Sequence, residues 1–393
     1  MAGHRAQRRA QRAARRRTAR HQAISAAASV VVAIGAAAGL ISAAEGGGEQ
    51  HEARRTETPE PTLEPLPAVP TPSSSPSPSK KSKSPKPKPS KTSAAPKTPR
   101  PDPAPKSNGL YRHGDSQVLD WVRANRNDPR RPLIEQRIAD RPAAVWFAEY
   151  NPDVIASRVR AVTSSSGGKV PVLVPYAIPD RDCGGASQGG APSLGAYDRW
   201  IDQFAAGLGS REVVVILEPD AVALSDCLSA ADRSARFASL ARAGRTLHAA
   251  NPNAKVYYDA GHSGWHPAAT QAAALRKAGA ASAASSDGIF TNVSNFHTTA
   301  DETAYARSVL AALGGPASHG AVIDTSRNGN GAPAAGQWCD PAGRKLGQPP
   351  TLSTGASRID AYLWIKLPGE SDGCKGAAGS FTPDYAYELA TGG

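Results

Sequence analysis

Carboxylates recur at or just past the ends of short apolar runs in the C-terminal two-thirds of this chain. Asp182 follows Val170–Tyr176, Asp220 follows Val213–Leu217, Asp259 ends Lys255–Asp259, Asp324 ends Ala321–Asp324, and Glu370 and Asp372 follow Ala361–Ile365. Asn295 holds the equivalent place after Gly288–Asn292. Aromatic and basic side chains share these places: Tyr176, His262, Trp265, Trp338 and Lys366, with Trp146 inside the run Ala144–Glu149. One carboxyl held protonated and a second able to steer water form the equipment for hydrolysing a glycosidic bond. Sugar rings present C–H faces that stack on indoles, so the tryptophans fit the same chemistry. Each residue also has a plainer reading: an Asp after a strand is often a helix N-cap, and a Trp at a strand end is often core.

Other chemistries lack their residues. Gly261-His262-Ser263-Gly264 is not the G-x-S-x-G of a nucleophile elbow. No HExxH or comparable His cluster is present, so no catalytic metal is expected. No G-x-G-x-x-G follows the first apolar run, and no cofactor is expected.

The elements that must position these residues are short apolar strands alternating with helices. Between several of the seven runs lie stretches with apolar residues at helical spacing: Ala196–Leu208, Ser234–Ala249, Ala268–Ala278 and Thr299–Leu313. Such alternation predicts buried parallel strands in an α/β fold. Seven strands in this length suit a barrel better than the alternative, a doubly wound open sheet. In a parallel barrel the site lies at the C-terminal ends of the strands, where the polar residues above fall.

The formal net charge of +12 does not belong to this part. Residues 1–107 carry 19 Lys/Arg against 7 Asp/Glu, and residues 108–393 carry 27 of each. A balanced folded part gives no hint of a nucleic-acid face, and no nucleic-acid partner is expected. Residues 1–22 hold eight Arg and no acid, and residues 23–44 are uncharged and Ala-rich. That pattern predicts export, with two readings open: a cleaved signal whose small residues Ser42-Ala43-Ala44 suit cleavage, or a retained span tethering the chain to the membrane. Residues 45–107 hold 16 of the 34 Pro, mixed with Ser, Thr and Lys, and read as a disordered stalk. The folded part is then 108–393, secreted or tethered outside the cell, and expected to be monomeric.

All four cysteines lie in the folded part and none forms CxxC. In an exported chain they suggest two disulfides. Of the three pairings, the one between sequence neighbours, Cys183–Cys227 and Cys339–Cys374, is preferred.

Seven segments in order resemble glycoside hydrolase family 6, the β-1,4-glucan hydrolases that include endoglucanases and cellobiohydrolases. They are VPYAIPDRDC from Val174, VILEPDA from Val215, YYDAGHSGW from Tyr257, NVSNF from Asn292, VIDTSRNGNG from Val322, WCDPAGRKLG from Trp338 and DAYLWIKLPGESDG from Asp360. The resemblance covers the folded part alone and implies a distorted seven-stranded parallel β/α barrel. It implies that Asp220 is the general acid, that Asp182 raises its pKa and orders water, and that Asp372 is the base, acting directly or through water. Tyr176 would help distort the sugar. Asp259, Lys366 and Glu370 match sugar-binding positions, joined by His262 and Asn295 on the rim, and Trp146, Trp265 and Trp338 match stacking platforms. It also implies inversion of the anomeric centre and the same sequence-near cysteine pairing.

Loop lengths separate the family's two modes of attack. Seven residues, Ala332 to Trp338, lie between the NGNG turn and Cys339, and 19 follow Cys374. Little chain is left to roof the cleft, so an exported endo-β-1,4-glucanase, most like the short-loop bacterial endoglucanases, is expected. The alternatives are a catalytically silent β-glucan-binding protein on the same scaffold, an exo-acting cellobiohydrolase, and activity on a mixed-linkage glucan or xyloglucan.

Overall fold

The computed structural model describes residues 109–392 apart from Ala335. The expected basic segment 1–22, apolar segment 23–44 and stalk 45–107 lie outside the described residues.

Strands β1 (Val145–Phe147), β2 (Val172–Pro175), β3 (Val213–Leu217), β4 (Ala254–Asp259), β5 (Gly288–Thr291), β6 (Gly320–Asp324) and β7 (Ile359–Leu363) form one sheet. Every neighbouring pair is parallel, and spatial order equals sequence order. All seven strands fall within the apolar runs or a residue or two of them. Every residue of β2, β3, β5 and β6 is buried, which is why these strands read as continuous apolar runs rather than as alternation.

The two faces of the sheet bury different partners. Val172, Val174, Val214, Ile216, Tyr257, Phe290, Val322 and Leu363 pack together as the filled interior of a curled sheet. The intervening Leu173, Val215, Leu217, Val256, Tyr258, Ile289 and Ile323 pack outward against Ile155, Trp200, Phe204, Leu240, Leu275 and Val309 of the helices. Period-two alternation in a barrel produces this division. Among the described residues β1 and β7 share no ladder. Ala144 N donates to Trp364 O (2.9 Å) and Trp146 Nε1 to Ile365 O (2.8 Å), so the barrel is distorted and its seam loosely joined.

The helices are α1 (Gln117–Ala124), α2 (Arg131–Ile134, running into a π turn at Glu135–Ala139), α3 (Ile155–Ser165), α4 (Leu194–Ala206), α5 (Ala230–Ala250), α6 (Ala268–Lys277), α7 (Thr299–Leu313) and α8 (Pro383–Thr391). Helices α4 to α7 occupy the four stretches with helical spacing. Ser193, Ser229 and Thr298 begin α4, α5 and α7 by accepting the N–H three residues on. Helix α7 stops at Gly314, whose φ of 70° carries the chain out of the helix. Helices α1 and α8 pack with the π turn in a third apolar cluster that includes Val118, Ile138, Ala386 and Leu367. Both ends of the described chain therefore back the segment that follows β7.

Candidate active site

The chain turns abruptly beyond its strands. Asp182, Glu218, Asp220 and Asn292 have φ of 57°, 51°, 68° and 68°, left-handed conformations that cost of order 1–3 kcal/mol each outside glycine. Buried carboxylates hold these turns by accepting main-chain N–H groups of neighbouring loops. Glu218 accepts Ala177 N (3.0 and 2.9 Å) and Ile178 N (3.0 Å), joining the loop after β3 to that after β2. Asp324 accepts Ser326 N (2.9 Å), Lys366 N (3.0 Å) and Ser294 N (3.3 Å), joining three loops.

Asp259 belongs to this set, which corrects its expected place among sugar-binding residues. It is 2% exposed and accepts Val222 N (3.1 Å), Ala223 N (2.8 Å) and Gly261 N (2.9 Å). With both oxygens engaged it does not line the cleft; it supports the loop just past Asp220.

The other expected residues meet in one cleft of about 1050 Å³. Trp146, Tyr176, Asp182, Asp220, His262, Trp265, Asn295, Trp338, Lys366, Glu370 and Asp372 all line it. Burial pushes the Asp220 carboxyl well above the ordinary carboxylate range, and the charges of Asp259 and Asp182 push the same way. A carboxyl so placed keeps its proton at neutral pH and can donate it. Asp182 stands on the turn after β2, where its Oδ2 accepts Ser187 N (2.6 Å). A Cβ at residue 185 would fall 2.7 Å from that oxygen, so any residue larger than Gly185 would displace the Asp182 carboxylate. Tyr176 meets Trp146 edge to face at 5.2 Å, and Arg181 lies 4.5 Å from the centre of its ring. Burial, then the charges of Asp220 and Asp182, pushes the Tyr176 phenol up, so it stays a neutral hydroxyl.

Asp372 faces two cations. Arg327 Nη1 donates to its Oδ2 (2.8 Å), and Lys366 Nζ lies 3.5 Å from Oδ1. Arg327 is wholly buried, also bonds Tyr385 OH (3.2 Å) and Ser294 O, and lies 4.4 Å from the centre of the Phe296 ring. Its role was not foreseen; the sequence signal was an arginine directly beyond a strand end, inside a segment that otherwise reads as a Gly/Asn turn. Gln117 of α1 was missed as well. It donates to Glu370 Oε1 (3.3 Å) and Gly379 O (2.7 Å) and accepts Phe381 N (3.0 Å). Burial raises Glu370 to about 7, against the opposing charge of Lys366.

His262 stacks on His297 at 4.3 Å with 21° between planes. Burial, then the neighbouring His297 and His266, lowers it to about 4, leaving a neutral imidazole on the cleft wall. Trp338 is 57% exposed on the rim. The disulfides Cys183–Cys227 and Cys339–Cys374 pair as expected, with Cα separations of 5.9 and 5.8 Å, and stand beside Asp182 and Trp338. Among the described residues no group of three or more His, Cys, Asp or Glu is placed to hold a metal ion.

A parallel barrel whose C-terminal rim joins a carboxyl raised by burial, an ion-paired carboxylate and three tryptophans fits the class of glycoside hydrolases. Comparison with known proteins narrows the class, and the chain belongs to the glycosyl hydrolases family 6, whose family model matches residues 108–391. It is 54% identical over 286 residues to Endoglucanase 1 of Streptomyces sp. (strain KSM-9), covering 72% of this chain and 78% of that one. It is 51% identical over 285 residues to Endoglucanase A of Thermobispora bispora, covering 72% and 61%. The endoglucanase Cel6 of Mycobacterium tuberculosis, solved with methyl-cellobiosyl-4-deoxy-4-thio-β-D-cellobioside, superposes with a TM-score of 0.66 at 40% identity over 72% of this chain and 96% of that one.

Proposed function

We propose that the protein hydrolyses internal β-1,4-glucosidic bonds of cellulose or a related β-glucan with inversion of configuration. The observation that carries this reading is the pairing, within one cleft, of Asp220, raised by burial, with Asp372, faced by two cations. In the proposed reaction Asp220 passes its proton to the departing glycosidic oxygen as the bond to the anomeric carbon breaks. A water attacks that carbon from the opposite face and gives up its proton toward Asp372, directly or through a second water. Asp182 orders water beside Asp220, and Tyr176 crowds the sugar at the cleavage point. Trp146, Trp265 and Trp338 stack the flanking sugars, while Lys366, Glu370, His262 and Asn295 bond their hydroxyls. The relatives named endoglucanases support internal cleavage, and so does the exposed rim at Trp338, which a roofed tunnel would cover.

The same reading places the enzyme outside the cell. Disulfides belong to oxidising compartments, and the apolar segment 23–44 supplies either a signal or a tether. Fractionating cells that make the full chain would separate these: activity in the medium means cleavage, and activity released only by detergent means a tether.

Viscosity tests the mode of attack. Carboxymethylcellulose should lose viscosity steeply for each reducing end formed. Nearly exclusive cellobiose with little loss of viscosity would overturn internal cleavage.

A further inference from the structure

Asp340 follows Cys339 in the loop beyond β6 and is 4% exposed, with φ of 44°. Its carboxylate gathers four donors from one short segment. They are Ser371 Oγ (2.5 Å), Asp372 N (2.8 Å), Cys374 N (3.0 Å) and Lys375 N (2.8 Å). In return, Asp340 N donates to Asp372 Oδ2 (3.2 Å). Each aspartate thus gives its backbone N–H to the carboxylate of the other. The Cys339–Cys374 bond closes the same two segments, and Trp338 stands two residues before Asp340.

We propose that Asp340 is a positioning residue for hydrolysis, which sets the carboxylate of Asp372 in register with the sugar platform at Trp338. The proposal rests on the reading of Asp372 as the carboxylate on the water side. The disulfide pins Cys374 at one point and leaves the direction of the Asp372 side chain free. Arg327 and Lys366 attract that carboxylate but do not fix the main chain that carries it. Asp340 does fix it, because three consecutive-loop N–H groups and one hydroxyl converge on two oxygens. Without those oxygens Asp372 N and Cys374 N lose their acceptor, Ser371 Oγ keeps only Gly376 O (3.1 Å) and Lys375 N only Ser371 Oγ (3.3 Å), and the 371–375 segment relaxes toward other partners.

The test compares Asp340→Ala, Asp340→Asn, Asp372→Asn and the Asp340→Ala/Asp372→Asn double variant. Each is made in the full chain with both disulfides formed and assayed on cellopentaose at enzyme concentrations that read residual turnover. A misplacement of about 1 Å costs on the order of 10²-fold, so kcat should fall about that much in Asp340→Ala with KM within about threefold. Asp340→Asn keeps one acceptor oxygen and should fall between Asp340→Ala and wild type. The double variant should be no slower than Asp372→Asn alone, because Asp340 acts through Asp372; a residue needed only for folding would add its own loss. Asp340→Ala within threefold of wild-type kcat, beside an Asp372→Asn that is strongly impaired, would overturn the inference and leave the proposed function standing. Fully additive losses would also overturn it. Asp372→Asn near wild-type activity would instead overturn the role of Asp372. Should Asp340→Ala not fold, Ser371→Ala removes one of the four donors together with the hydroxyl that accepts Gly373 N (2.9 Å); it should lower kcat severalfold in the folded fraction, measured well below its lowered melting temperature, and an unchanged kcat there counts against the proposal.

Discussion

Arg327 Nη1 lies 2.8 Å from Asp372 Oδ2, with side-chain exposures of 0% and 7%. The pair occupies one carboxylate oxygen and leaves Oδ1, 3.5 Å from Lys366 Nζ, as the oxygen that can meet a water. Removing one member of a buried pair costs about 3–5 kcal/mol where the other's charge is left unpaired; Lys366 Nζ stays 3.5 Å from Asp372 Oδ1, so the cost here falls below that. Arg327→Met should therefore lower the melting temperature clearly and lose activity in the folded fraction. Thermal denaturation alongside kcat checks both; a variant as stable and active as wild type would show the pair to be idle.

Asp220→Asn should keep the fold and glucan binding while losing about 10²–10⁴-fold in kcat on unactivated glucan, since a glucose leaving group requires a proton. Among the described residues no group donates to the Asp220 carboxyl, so the amide disturbs little around it. Activity within a few-fold of wild type on cello-oligosaccharides would remove Asp220 from the role of acid.

The pH profile follows from the direction of the Asp220 shift. Burial, Asp259 and Asp182 all raise its pKa. The protonated, working form then persists through neutral pH and is lost as pH rises through the raised value. Asp182→Asn removes one of the raising charges while keeping an acceptor for Ser187 N, so the alkaline limb of kcat should move to lower pH. An alkaline limb that stays in place, or moves up, would contradict the coupling.

How much of this was legible in the sequence depends on burial. Strands β2, β3, β5 and β6 announced themselves because both faces are apolar. Helices α1, α2 and α8 are short and lie outside the strand–helix alternation, and α3 carries Ser, Arg and Thr among its apolar positions. The cleft residues were legible because polar and aromatic side chains recur just past one buried strand after another, although Glu218 and Asp324 in the same places hold loops instead. Asp259 looked the same in sequence as Asp220, and only the three N–H groups around it show that it supports rather than faces the cleft. Arg327 and Asp340 were hidden for a converse reason: a charged residue in a Gly- or Pro-containing loop reads as solvated, and its burial depends on segments far away in sequence.

The disulfide Cys183–Cys227 closes a loop of 44 residues and sits directly after Asp182. Its loss costs on the order of 2–4 kcal/mol, which a barrel of this size can survive. A Cys183→Ser/Cys227→Ser variant should therefore fold at moderate temperature yet lose activity beyond its loss of stability, because the Asp182 turn loosens. Full activity at a lowered melting temperature would confine the bridge to a structural part.

Proton NMR of cellohexaose during the first minutes of hydrolysis tests the central claim most directly, since it reads bond cleavage and stereochemistry together. With Asp220 as acid and a water attacking from the Asp372 side, new reducing ends should appear as the α-anomer and drift toward the equilibrium mixture afterwards. New ends appearing first as the β-anomer would contradict the inverting pair.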